Sequence, residues 1–238
     1  MGVEKRILQG VLAGAFAATL LGSTAAQANE VLWGFQAENV EYRFGEDEDV
    51  AAWDFDFFVG TDELKVVWRS EAEFSIDERE FETLENQMRL QVPISRFFDA
   101  AFGVRVDTPE GANRAYGVVG VKGLAPQWFE IDADLYISDR PIFRFEGEYE
   151  ALITNRIILT PSLEFELPFR DDPAIGVAGF GPKLEVGVRL SYDLIDRAVS
   201  PYIGVHYERS FGGTADILRA DGKDAGALFG VVGVRLMY

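Results

Sequence analysis

From about residue 31 to its last residue the chain alternates apolar and polar residues, and this period of two constrains the fold more than any other feature. Phe129 to Ile137 alternates without a break, as Phe-Glu-Ile-Asp-Ala-Asp-Leu-Tyr-Ile. Leu184 to Tyr192 does the same with Gly187 in one polar slot, and Phe143 to Tyr149 with Gly147 in one apolar slot. Successive side chains of a strand point to opposite faces, so each run is a strand with one apolar and one polar face. The pattern predicts twelve strands, at 31–44, 50–60, 64–75, 81–94, 100–107, 114–123, 128–138, 142–152, 156–168, 183–194, 201–210 and 227–238.

A soluble sandwich also carries one apolar and one polar face per strand. Four features point instead to an all-β, transmembrane, antiparallel up-and-down barrel of about 12 strands. Most strands run near ten residues, the length a tilted membrane strand requires, whereas soluble strands peak at about 5–6. Connections after even-numbered strands are short, as at Thr61-Asp62-Glu63 and Ile153-Thr154-Asn155, while Asp171 to Pro182 and Gly212 to Asp224 are longer. That asymmetry of turns and loops belongs to outer-membrane barrels. Aromatic residues stand near strand ends on the apolar face (Trp33, Trp53, Phe129, Phe143, Tyr192), as in interfacial girdles. Finally, Val234, Leu236 and the terminal Tyr238 share one face of the last strand, similar to the signal read by the barrel-assembly machinery.

The first residues read as an address. Lys5 and Arg6 precede an apolar run from Val11 to Leu21 and a small-x-small site at Ala26-Gln27-Ala28. The domain expectation is therefore a Sec signal peptide at 1–28 and an outer-membrane barrel at 29–238, in a Gram-negative envelope. No cysteine occurs, which removes lipoprotein anchors, disulfides and thiolate metal sites. The formal charge of −18 becomes one unit more negative once Lys5, Arg6 and Glu4 are removed. This balance excludes a nucleic-acid partner, whose phosphates need a basic face, and favours cations. No second long apolar run follows, so the partners expected are outer-membrane lipid around strands, not helices.

Several stretches carry a family resemblance: Gly117 to Ala133, Asn155 to Pro161, Asp171-Asp172-Pro173, Leu184 to Tyr192 and Tyr202 to Asp216. The most specific are Gly123 to Glu130 (Gly-Leu-Ala-Pro-Gln-Trp-Phe-Glu) and Glu208 to Asp216 (Glu-Arg-Ser-Phe-Gly-Gly-Thr-Ala-Asp). Together they resemble the copper resistance protein B family of outer-membrane proteins, weakly over 30–95 and closely over 114–217. The resemblance implies a role in copper homeostasis or tolerance at the outer membrane. Members commonly carry a Met- and His-rich segment before the barrel, the expected copper ligand set. Here Met88 and Met237 are the only methionines after Met1, and His206 is the only histidine. Copper prefers thioether and imidazole ligands beside thiolate, so copper is expected at low affinity, if bound, and no other cofactor is implied.

The apolar parity assigns the inward residues. Glu130, Asp132, Asp134 and Tyr136 point inward on the seventh strand, Arg144, Glu146, Glu148 and Glu150 on the eighth, and Ser162, Glu164 and Glu166 on the ninth. The third to sixth strands offer Lys65, Arg69, Arg89 and Arg105 mixed with Glu71, Glu73, Glu85 and Asp107; Arg189 and Arg235 follow later. Strand order places the acidic wall opposite the more basic one. Two functions fit: a cation-selective path, or a lumen plugged by cross-lumen ion pairs. His206 shares the inward face with Glu208 and, with Glu185 or Asp193, forms a candidate Cu(II) or Zn(II) site of modest affinity.

Two further readings come from different classes. The barrel is a general acidic-lumen pore or structural barrel with no copper role, or, more remotely, an outer-membrane hydrolase built on Ser191, His206 and Asp193. No nucleophile motif surrounds Ser191, so the chain is read as non-enzymatic with no catalytic residue. The run Phe211 to Asp216 is glycine-rich but lacks the Gly-Lys-Ser/Thr ending of a phosphate loop, and is expected as a tight loop at the barrel rim.

Overall fold

The computed structural model describes residues 30–46, 48–108 and 113–238. The signal peptide expected at 1–28 lies outside the described residues. From Val31 to Tyr238 the chain is one compact unit.

Twelve antiparallel strands follow one another in chain order: β1 (Leu32–Phe44), β2 (Asp49–Gly60), β3 (Lys65–Ser75), β4 (Glu80–Pro93), β5 (Phe98–Asp107) and β6 (Arg114–Ala125) form the first half. The second half is β7 (Phe129–Ile137), β8 (Ile142–Tyr149), β9 (Ile157–Pro168), β10 (Lys183–Tyr192), β11 (Val199–Ser210) and β12 (Gly226–Met237). Strand β8 breaks at Glu150 and resumes as Ala151–Leu152 against β9. Each strand pairs with its neighbours in sequence, and β1 pairs with β12, which closes the barrel. Closure removes the sheet edges that would otherwise leave unpaired backbone in lipid.

The outside is apolar and the inside is charged. Val104, Val119, Leu190, Val205 and Leu228 are among many exposed aliphatic side chains. Among the largest side chains that are essentially inaccessible are Arg89, Gln87, Asp134 and Tyr136. A soluble sandwich needs an apolar core, so this inversion rules it out. The short turns at 61–64, 94–97, 126–128, 153–156 and 193–198 share one rim with both ends of the described chain. At that rim Trp33 stacks on Tyr238 at 5.3 Å and Phe129 on Tyr149 at 4.9 Å. Trp53 and Phe81, at 5.7 Å, lie toward the opposite, long-loop end.

One expectation is corrected here. Phe211 to Asp216 does not form a loop: Gly212–Ala220 is helix α1. Gly212 takes φ +56°, which reverses the chain at the end of β11, and the good helix formers Ala215, Leu218, Arg219 and Ala220 then carry the turns. Thr214 holds the helix against the loop after β9: its Oγ1 accepts from the Ala178 N–H at 3.1 Å and donates to the Gly181 carbonyl at 3.0 Å.

Candidate functional site

The lumen follows from the strand parity with one interruption. A β-bulge in β1 skips Glu38 in the pairing with β2, so that Asn39 pairs with Asp54. The extra residue shifts the alternation, and Glu38 and Asn39 both line the lumen. An arginine lattice crosses between walls and takes in most of the twelve lumen candidates, while Glu150 meets Arg197 of the short-turn rim at 3.1 Å. Asp132 on β7 receives Arg69 of β3 at 3.1 Å and Arg89 of β4 at 3.3 Å. Arg89 also bonds Asp134, and its Nε donates to Gln87 at 2.8 Å. Arg105 bonds Glu85 at 2.5 Å and Asp107 at 2.7 Å, and its guanidinium lies 4.3 Å from the Tyr136 ring centroid.

Arg144 on β8 is the hub. It reaches Glu71 at 2.9 Å and Glu85 at 2.9 Å on the facing wall, and Glu164 at 3.2 Å and Glu166 at 3.0 Å beside it. Arg189 binds Glu41 with two hydrogen bonds of 2.9 Å, and Glu41 also accepts from Arg43 and the Tyr202 hydroxyl. Arg235 reaches Glu148 and Glu150, each at 2.8 Å. Glu130 and Glu146 have only longer contacts, to Lys122 at 3.7 Å and Arg69 at 3.6 Å. The expected facing of an acidic by a more basic wall is seen where Arg69 and Arg89 meet Asp132 and Asp134, and beside it the charge is interleaved. The acidic wall contains its own hub, Arg144, and the facing wall contributes Glu71 and Glu85.

Two cavities remain, of about 120 Å³ and about 320 Å³. They share a wall that includes Arg43, Asp54, Glu164 and Glu185. Eight carboxylates line the smaller cavity against four Lys or Arg side chains, and Arg89, Arg144, Lys183 and Arg235 reach four of those acids from outside the lining. Glu38 and Asp54 take part in no ion pair among the described residues. Sequence reasoning named neither, nor Glu41, Arg43, Asp56 and Lys122. The bulge hides the parity of β1, whereas Asp54 and Asp56 alternate regularly and carried a readable signal. Over the larger cavity, Asp172 in the loop after β9 bonds Arg114 at 2.7 Å and Arg140 at 3.3 Å.

Glu185, His206 and Glu208 come together on β10 and β11, their potential ligand atoms within 4.8 Å of one another. Asp193 does not join them. It lies at the short-turn rim, where it accepts from Ser200 Oγ at 2.5 Å, six positions along β10 from the Gly187 that pairs with His206. The hydrolase reading fails on the same register. Ser191 pairs with Tyr202, four positions from His206, or about 13 Å along the sheet. Its Oγ instead donates to the Ile158 carbonyl at 3.4 Å.

An inside-out closed barrel with a charged, ion-paired lumen defines an outer-membrane β-barrel. The NanC porin shares the fold, with a TM-score of 0.53 and 13% identity, over 86% of this chain and 99% of that one. The family model for the copper resistance protein B precursor (CopB) matches residues 31–238, and the chain belongs to that family. It is 32% identical to a copper resistance protein B homolog of Pseudomonas syringae pv. tomato, over 86% of this chain and 69% of the relative. It is 30% identical to a copper resistance protein B of Escherichia coli, over 84% of this chain and 68% of the relative.

Proposed function

We propose that this barrel serves copper resistance by holding, and passing at a modest rate, cations in its acidic lumen. The observation that carries the reading is the smaller cavity, where carboxylates outnumber cations two to one and Glu38 and Asp54 face it without an ion pair. Field lines from such a wall concentrate in a low-dielectric shell and attract cations while excluding anions. The arginine lattice narrows the route, so the expected conductance is small. The role is non-enzymatic. Export through Sec with removal of residues 1–28, and recognition of the strand ending in Tyr238 by the barrel-assembly machinery, complete the proposal.

One observation favours a second reading, a structural barrel with no copper role: Arg144 and Arg89 knit facing walls together as a plug would. Planar-bilayer conductance of the purified barrel, with and without copper, separates the two. Cation-selective events that copper modulates, reduced in Glu38→Gln/Asp54→Asn, support the proposal. A silent barrel, or conductance indifferent to copper and to both substitutions, refutes it.

A further inference from the structure

The group formed by Glu185, His206 and Glu208 differs from most of the lumen in one respect. Most other paired lumen carboxylates meet the rigid forks of guanidinium groups, with Lys122 on Asp56 and Glu130 among the exceptions. Here the counter-cation is the flexible Lys183, whose Nζ lies 3.0 Å from Glu185 and 2.8 Å from Glu208. Beside it His206 is only 4% exposed, and neither ring nitrogen has a hydrogen-bond partner. Its Nε2 stands 3.2 Å from Glu185 Oε2, too poorly aligned for a bond. A buried imidazole left without a partner costs about 1–3 kcal/mol and calls for an explanation.

Register supplies the frame. Glu185 pairs directly with Glu208, and His206 pairs with Gly187, over which Arg189 Nη1 and Ser162 Oγ lie, each 2.5 Å from where a Cβ would stand. Phe229, buried on β12 and paired with His206, backs the ring at 6.3 Å between centroids. Glu185 lines both cavities, which makes the group reachable from either.

We infer that Glu185, His206 and Glu208 form a binding site for a borderline divalent transition-metal ion, Cu(II) or Zn(II), and that Lys183 is its tethered competitor. The inference deepens the cation-handling reading and rests on it. One imidazole with two carboxylates is a donor set suited to these ions, and the lumen leaves their remaining positions to water. Ligand atoms around one such ion lie about 3–4 Å apart, so side-chain rotations that close about 1–2 Å complete the site. A monovalent alkali ion gains nothing by entering, because it exchanges one unit charge for another and does not bind imidazole. A divalent ion adds a charge and uses the nitrogen. The displaced ammonium has a second acceptor within reach of its stem, since Lys183 pairs in register with Glu166 on β9. The lysine keeps the empty site from collapsing in charge repulsion and holds affinity down, which suits a station from which the ion must leave.

His206 is the only histidine of the sequence, so an untagged chain offers a clean test. The barrel purified from outer membranes is titrated with Cu(II) and read by pulsed electron paramagnetic resonance, which detects the remote imidazole nitrogen. The expected result is one Cu(II) carrying that signature. Lys183→Met binds about tenfold more tightly, and Glu185→Gln or Glu208→Gln about tenfold more weakly, the worth of one charge-assisted bond. Gel migration before and after boiling verifies that each variant is folded. Absence of the imidazole signature at saturating copper, or a folded Lys183→Met variant with unchanged or weaker affinity, overturns the inference. Copper tolerance of cells separates this from the functional reading. A barrel that binds Cu(II) at His206 without altering tolerance keeps the site and sinks the function; tolerance conferred without the signature does the reverse.

Discussion

Arg144 offers the sharpest test of whether the lumen lattice holds the barrel together. Its side chain is 6% exposed and bonds four carboxylates from three strands. In Arg144→Ala, Glu85 retains Arg105 at 2.5 Å and Glu71 retains a weak contact with Arg69 at 3.7 Å. Glu164 and Glu166 have no other ion-pair partner among the described residues. Removing one partner of a fully buried ion pair costs about 3–5 kcal/mol, because the remaining charge is left desolvated. Here the orphaned carboxylates border a cavity, with Glu164 32% and Glu166 26% exposed, so the cost belongs at the lower end, about 3 kcal/mol. Urea unfolding of the barrel in lipid bilayers measures it. The same substitution in a Glu166→Gln background should cost less by about 1 kcal/mol or more, since that acid no longer needs the cation. The link between β8 and the β3–β4 wall is reduced to the 3.6 Å contact of Arg69 with Glu146, so single-channel conductance should rise. A loss below about 1 kcal/mol, the value of a surface pair, with no change in conductance, would refute the lattice as the structural core of the lumen.

Four other expectations follow from single positions. Val205 faces outward near the middle of β11, and Val205→Arg should cost about 2–4 kcal/mol in bilayer unfolding, where a soluble surface would register little. A Cβ at Gly233 would stand 2.6 Å from the Tyr202 ring and 2.7 Å from the Val40 carbonyl, so Gly233→Ala should destabilise by about 1–3 kcal/mol. Part of that loss comes through the Tyr202–Glu41 bond, and Tyr202→Phe alone should cost about 1 kcal/mol in the same assay. Thr214→Val removes the bonds that pin α1 to the loop after β9, and should speed tryptic cleavage after Arg170 in the folded barrel; unchanged cleavage would show the loop to be held by other contacts.

The barrel was legible because lipid outside and charge inside enforce strict alternation. Where alternation is unbroken, as in β7 and β10, both strand ends and inward residues could be read off the chain. It failed where local geometry breaks the period. The bulge at Glu38 flips parity within β1, so Glu38, Glu41 and Arg43 went unnamed although Glu41 is the anchor for Arg189. Helix α1 was obscured because its two leading glycines read as loop while the helix formers follow them. The pairing partners of each arginine were not legible at all. Which acid Arg144 meets depends on barrel curvature and side-chain reach across the lumen, and neither is written in the period. Register also decided against Ser191 and His206. Adjacent strands do not make neighbours of residues four positions apart.

The closed lumen leaves an electrostatic remainder that the fold cannot dispose of. Lipid bars charge from the outer face, so the acids of the spanning strands must turn inward, and the arginines that follow them are too few. Around the smaller cavity six of the eight carboxylates meet a cation, and Glu38 and Asp54 meet none among the described residues. Such an excess in a low-dielectric shell is met either by protonation or by cations drawn from solution. Both couple the lumen to its surroundings, and the second makes cation occupancy a condition of the folded state. On the proposed cation-handling reading, cation uptake would precede any transport function: ions drawn in to balance the wall come first, and a copper-handling role would refine which ions those are.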